Sequence, residues 1–144
     1  MILADEDATA AFGATLAGKL EAGDVVTLSG PLGVGKTALV RGLLAALGHE
    51  GEVPSPSFAI VQPYDELKLP IWHVDLFRLD DPSELEELGL ETASDGALLI
   101  EWPEKAGQGT WPDALRLTLE FADAGARRLT ASVPPSWQSR WSQA

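Results

Sequence analysis

Between residues 7 and 20 the apolar side chains Ala8, Ala11, Phe12, Leu16 and Leu20 recur at helical spacing behind an acidic first turn, which predicts an α-helix. A turn over 21–24 leads into 25–29, a short, largely β-branched apolar run of strand length that stops at glycine. Over 37–47 the leucines at 39, 43, 44 and 47 line one helical face, and Gly48 supplies a stop. Strand, loop and helix therefore follow one another here. Residues 49–56 are rich in Gly and Pro and read as a loop, and 58–64 and 70–76 read as two strands around a polar turn, a candidate hairpin. The stretch 81–90, with Pro82 near its start and Leu85 and Leu88 facing inward, predicts a short helix ending near Gly89. Residues 97–100 are wholly apolar, as a central strand requires. Alternation over 115–121 and 128–133 predicts an antiparallel pair joined through 123–126. The tail from about 134 to 144 is expected to be weakly ordered, and no internal repeat is visible.

Composition narrows the chemistry. The 144 residues, 45% hydrophobic and 22% charged, suit one buried core, so residues 1–144 are expected to form a single domain. No run approaches the roughly 18 apolar residues of a membrane span, and the acidic Asp5, Glu6 and Asp7 lack the positive character of a secretion signal. A soluble cytoplasmic protein is the expectation. The absence of cysteine removes disulfides, thiolate metal sites and a cysteine nucleophile, and two histidines, His49 and His73, leave little for zinc. Any metal must rest on oxygen ligands. A formal charge of -12 keeps the surface soluble and opposes independent binding to a polyanion.

The strongest chemical signal is the run Gly30, Pro31, Leu32, Gly33, Val34, Gly35, Lys36, Thr37. It has the Walker A spacing and lies between a predicted strand and a predicted helix, the context that the motif needs. Its glycines let backbone N–H groups turn toward phosphate oxygens, and the helix start adds a positive dipole end. Lys36 is placed to bridge β and γ phosphates, and the Thr37 hydroxyl to bind magnesium.

A phosphate cradle of this kind also needs a carboxylate at the end of a second strand and a group that orients the nucleophile. Glu101 follows the clean apolar run 97–100, which favours it as the metal-side acid over an ordinary strand-end acid. Asp75, beside His73 and before Arg78, fits a water-positioning or catalytic role. His73 shares a strand face with Asp75 and is either its hydrogen-bond partner or a structural histidine. Arg78 either reaches phosphate in cis or pairs with Asp80 and Asp81. Ser55, Pro56, Ser57 and Phe58 form either a stiffened loop sensing the γ phosphate or a plain turn into a strand. Trp102, next to Glu101, is a candidate to stack on a base.

Four motifs in order, the Walker A run at 30–37, Ser55-Pro56-Ser57-Phe58, His73-Val74-Asp75-Leu76-Phe77-Arg78 and Ile100-Glu101-Trp102-Pro103-Glu104, together resemble the TsaE family across nearly the whole chain. The resemblance implies a magnesium-dependent ATPase that works with TsaB and TsaD in making N6-threonylcarbamoyladenosine at position 37 of tRNAs, without itself transferring the carbamoyl group. It also implies Thr37 and Glu101 as magnesium ligands, Asp75 with Lys36 in hydrolysis, and Trp102 as the adenine stacker. Gly33, Val34, Gly35, Lys36, Thr37 and Ala38 would surround the phosphates, with Thr9 and Arg127 near the nucleotide and Ser55 and Ser57 in a switch-like loop. Ser57 stands where the family more often has Thr, and Phe77 where it usually has Tyr.

A small-molecule P-loop kinase is the main alternative, but its arginine-rich lid is missing: only Arg127 and Arg128 of six arginines are adjacent. No guanine-reading Asn-Lys-x-Asp segment marks a GTPase. The expected fold is a three-layer α/β P-loop nucleotide-binding domain, its central sheet mostly parallel and flanked by antiparallel strands, with the nucleotide at the strands' carboxyl ends.

Overall fold

The computed structural model describes residues 1–31, 33–51, 53, 61–79, 81–90, 95–107 and 109–141. Asp5 opens the first helix, α1 (Glu6–Ala17), by accepting a hydrogen bond from the Ala8 N–H at 2.8 Å. The second, α2 (Lys36–Ala46), closes in a Schellman motif: the Gly48 N–H donates to the Ala45 carbonyl and the His49 N–H to that of Leu44. Gly48 takes φ 109°, which explains why glycine stands there. The last helix, α3 (Pro135–Gln138), is a single turn.

Among the described residues seven strands form one sheet: β1 (Ile2–Leu3), β2 (Val25–Ser29), β3 (Val61–Tyr64), β4 (Ile71–Asp75), β5 (Ala97–Glu101), β6 (Leu115–Phe121) and β7 (Arg127–Ser132). Their order is β1-β7-β6-β2-β5-β4-β3. The four middle strands run parallel, while β3 on one side and β7 and β1 on the other are antiparallel to their neighbours. The α/β expectation therefore holds, and β3 with β4 forms the hairpin. The antiparallel pair expected over 115–121 and 128–133 forms as β6 and β7, and β6 also lies parallel beside β2. β1 was not foreseen, since two residues are too few to show a period.

One face of the sheet is covered by α1 and α2, which pack Leu16, Leu39, Leu43 and Leu44 against Val26, Leu28, Leu99 and Leu117. The helices meet at two glycines. A Cβ on Gly13 would lie 2.0 Å from the Leu39 carbonyl oxygen, and one on Gly42 2.0 Å from that of Ala10. The opposite face is covered more thinly, by Leu79, Leu90 and Ala106 over Val74, Leu98 and Ile100. There the helix expected over 81–90 is a 3₁₀ segment, Pro82–Leu88, with a capping box between Asp81 and Glu84 and an end at Gly89 in the left-handed region. Among the described residues the third layer is thus built of short turns.

The tail expected to be weakly ordered is docked as far as residue 141. Trp137 is buried beneath the Arg140 guanidinium, 4.0 Å above its ring. Arg140 also grips both carboxylate oxygens of Asp24, at 2.7 and 3.1 Å. An aromatic anchor and a bidentate ion pair on one turn overcome the entropy that polar composition suggested would prevail.

Candidate functional site

The register of the parallel strands assembles the site. Asp75 and Glu101 are paired residues at the carboxyl ends of β4 and β5, and Leu28 of β2 pairs with Glu101 on the other side. Side chains alternate across a strand, so His73, Asp75, Leu99 and Glu101 share the face that carries α2. The chain leaving β2 then turns over these carboxylates. Gly30 takes φ 144°, and a Cβ there would stand 2.4 Å from the Leu119 carbonyl oxygen, so only glycine permits the turn. Gly35, at φ 116°, is the N-cap of α2 and offers no side-chain cap. The first N–H groups of α2, on Lys36, Thr37 and Ala38, therefore have no side-chain acceptor at the N-cap and suit an anion.

A cavity of about 290 Å³ opens at this point, at the small end of the range for ligand pockets. It is lined by Gly33, Gly35, Lys36, Thr37 and Ala38, by Asp75, Glu101 and Trp102 at one end, and by Glu6, Arg41 and Arg127. Lys36 donates from Nζ to the Gly30 carbonyl at 2.7 Å, and its ammonium lies 3.9 Å from the centroid of the Trp102 ring. Burial lowers the Lys36 pKa from its ordinary value, while the charges of Glu101, Asp75 and Glu104 oppose that shift. The Asp75 carboxyl is pushed the other way, upward, first by burial and then by Glu101; the hydrogen bond it accepts from the Phe77 N–H at 2.9 Å opposes this. Two neighbouring acids, one with a raised pKa, face a buried cation across the cavity.

Several expected residues are thus gathered: Gly33, Gly35, Lys36, Thr37, Ala38, Asp75, Glu101, Trp102 and Arg127 all line one space. Val34 does not line it, because its side chain is fully buried in the core. Thr9 is buried behind Gly35, with its hydroxyl donating to the Asp5 carbonyl at 3.0 Å. Arg78 is exposed and away from the lining. His73 bonds Glu101 rather than Asp75, Nε2 to Oε2 at 2.6 Å, because the diagonal across β4 and β5 brings those two side chains together. Ser55 and Ser57 lie outside the described residues, as do Leu32 and Asp80.

Trp102 occupies the left-handed region, φ 58° and ψ 49°, unusual for a bulky residue, immediately after the buried strand β5. Its ring stands beside Lys36 and 5.0 Å from that of Phe77, so it sits at the carboxylate end of the cavity. A ligand that draws the ammonium away changes the surroundings of this indole. ADP with magnesium is expected to shift the intrinsic fluorescence of the wild type and not that of Trp102→Phe. An equal shift in both would place the responding tryptophan elsewhere.

Two lining residues were not anticipated. Glu6 and Arg41 form an exposed ion pair at 3.4 Å across the mouth. In sequence Glu6 is one of three acids, Asp5, Glu6 and Asp7, at the start of the chain, and nothing local signals a partner on α2. Donors at this cavity lack partners among the described residues. Arg127 has Nε and Nη1 buried without an acceptor, and α2 starts without a cap. Both are donors suited to phosphate oxygens.

The family model for TsaE, threonylcarbamoyl adenosine biosynthesis protein, matches residues 3–129. The tRNA threonylcarbamoyladenosine biosynthesis protein TsaE of Haemophilus influenzae is 44% identical over 102 residues, covering 69% of this chain and 64% of that protein, so the match spans just under two thirds of that relative. The protein of the same name from Rickettsia felis is 37% identical over 141 residues, 96% of this chain and 82% of its own. Among solved structures, Bacillus subtilis YdiB superposes with a TM-score of 0.80 at 25% identity, covering 97% of this chain and 88% of that one. These matches show that the chain belongs to the TsaE family of threonylcarbamoyl adenosine biosynthesis proteins.

Proposed function

We propose that this chain is a magnesium-dependent ATPase whose cycle supports formation of N6-threonylcarbamoyladenosine at position 37 of tRNAs. In this reading it acts in the cytoplasm on a TsaB–TsaD complex and does not transfer the carbamoyl group itself. The observation that carries the reading is the meeting of three parts in one cavity: the uncapped start of α2, the buried Lys36 and the adjacent acids Asp75 and Glu101. The names of the relatives, tRNA threonylcarbamoyladenosine biosynthesis proteins, support the pathway. The charge of -12 favours a protein partner over unaided capture of tRNA.

The residues divide the work by position. The α2 N–H groups and Lys36 hold the phosphate tail, with Lys36 exchanging its Gly30 carbonyl for phosphate oxygen. Thr37 and Glu101 would hold a magnesium ion, which would supply positive charge to offset that of the triphosphate. Asp75 keeps Oδ1 on the Phe77 N–H, which leaves Oδ2 to orient water and accept its proton. Its raised pKa suits that acceptance better than an ordinary aspartate would. Arg127, beside Gly35 in the lining, would turn to the nucleotide the guanidinium nitrogens that lack partners among the described residues.

Lys36→Ala is expected to weaken magnesium-ADP binding by roughly two orders of magnitude, as loss of a charge-assisted phosphate contact in a low-dielectric site implies. Calorimetric titration measures it, and unchanged affinity would remove the phosphate cradle from the argument. The function is tested by measuring magnesium-dependent ATP hydrolysis by the chain alone and with TsaB plus TsaD. Slow turnover that the two proteins stimulate is expected. Turnover indifferent to them, with phosphate passed to a small acceptor, would replace this reading with a kinase.

A further inference from the structure

We infer that His73 is a positioning residue whose imidazole holds the Glu101 carboxylate in the orientation needed for the magnesium site. The inference rests on the reading of Glu101 as the metal-side acid and extends it to a side chain outside the cavity lining.

Both partners are almost wholly withdrawn from water, His73 completely so and Glu101 at 4% exposure. A carboxylate accepts and does not donate, so Nε2 carries the proton and gives it to Oε2 across 2.6 Å, a short charge-assisted bond. That bond ties down one oxygen and leaves Oε1, which has no hydrogen-bond partner among the described residues, on a group that lines the cavity. His73 is itself held rigidly. It sits in mid-strand on β4, between β3 and β5, opposite Gln62 on one side and Leu99 on the other. Its remaining nitrogen, Nδ1, has no hydrogen-bond partner among the described residues. The one polar bond that this buried ring makes there is to Glu101.

The choice of partner matters because of Asp75. Paired across the strands with Glu101, it gives the site a second acid whose charge repels the first. A carboxylate free to rotate on a strand end would swing away from that neighbour. An imidazole bond fixes it without the permanent charge of Lys or Arg, which would compete with a divalent cation. Substitution of residues that orient metal ligands typically costs 10- to 100-fold in metal affinity, whereas a purely structural buried hydrogen bond has no particular connection to metal.

The test compares ADP affinity in magnesium and in EDTA by calorimetry for the wild type, His73→Leu and His73→Gln. It is joined by the NMR signal of the His73 Nε2 proton in ligand-free protein. The magnesium-dependent gain in ADP affinity is expected to fall about 10-fold or more in His73→Leu, with the EDTA affinity within about twofold of wild type. His73→Gln, which keeps an amide donor near the Nε2 position, should retain most of the gain. In the ligand-free wild type the Nε2 proton should resonate far downfield and move back in Glu101→Gln. If His73→Leu does not fold, the comparison passes to Gln against Asn, whose shorter amide cannot reach Oε2. Equal gains in the donor-bearing and donor-lacking variants, or equal loss of binding in magnesium and in EDTA, would overturn the positioning role alone. A wild type that gains nothing from magnesium would overturn the metal-site reading and this inference with it.

Discussion

Asp75→Asn is expected to lower magnesium-dependent ATP hydrolysis by roughly 100- to 10,000-fold, the range for removing a general base, while nucleotide binding persists. The same substitution is expected to raise the thermal stability of the ligand-free protein at neutral pH. The folded-state pKa of Asp75 lies above its unfolded value because burial, reinforced by Glu101, disfavours the charge. A carboxyl shifted in that direction lowers stability once both states are ionised, and stability is regained as pH falls through the raised folded-state value. Asparagine removes the charge and keeps an oxygen for the Phe77 N–H. The melting temperatures of variant and wild type, measured in EDTA, should therefore differ most at pH 7 and converge as the solution is acidified toward the raised pKa. A variant less stable than wild type at pH 7 would show that the Asp75 charge is compensated in the folded state. Full hydrolytic activity would remove Asp75 from the chemistry.

Gly42→Val is expected to cost the fold about 3 kcal/mol or more, at the upper end for forcing atoms into a packed core. On a chain of this size that lowers the melting temperature by about 10 °C. The new Cβ would meet the Ala10 carbonyl carbon and oxygen at 2.6 and 2.0 Å, and these are backbone atoms that no rotamer change can move. Either α1 and α2 separate, opening the core around Leu16, Leu39 and Leu43, or the variant fails to fold. The effect reaches the site, because α1 carries Glu6 and Thr9 and α2 carries Lys36, Thr37, Ala38 and Arg41. A thermal melt indistinguishable from wild type would mean that the helices do not pack this closely in solution. Gly13→Val, which meets the Leu39 carbonyl in the same way, should behave alike.

Much of this molecule is legible in its amino-acid order, and the legible parts are those governed by local physics. The strand at 25–29 and the helix beyond it announce themselves through apolar periodicity, with Gly48 marking the stop; the Walker A run stands out because the backbone at Gly30 and Gly35 requires glycine. Glu101 is legible as a strand-end acid because it follows an apolar run, and Asp75 because it stands near the end of the strand expected over 70–76. Tertiary structure decided everything that depends on residues distant in sequence. It set β6 parallel to β2, joined His73 to Glu101 rather than Asp75, brought Arg127 behind Gly35, and closed Glu6 onto Arg41. It also docked a polar tail through Trp137 and Arg140. Periodicity tells which face of an element is buried but carries no register between elements. That register comes from the packing of one layer on another, and in this protein it sets which acid the buried histidine holds.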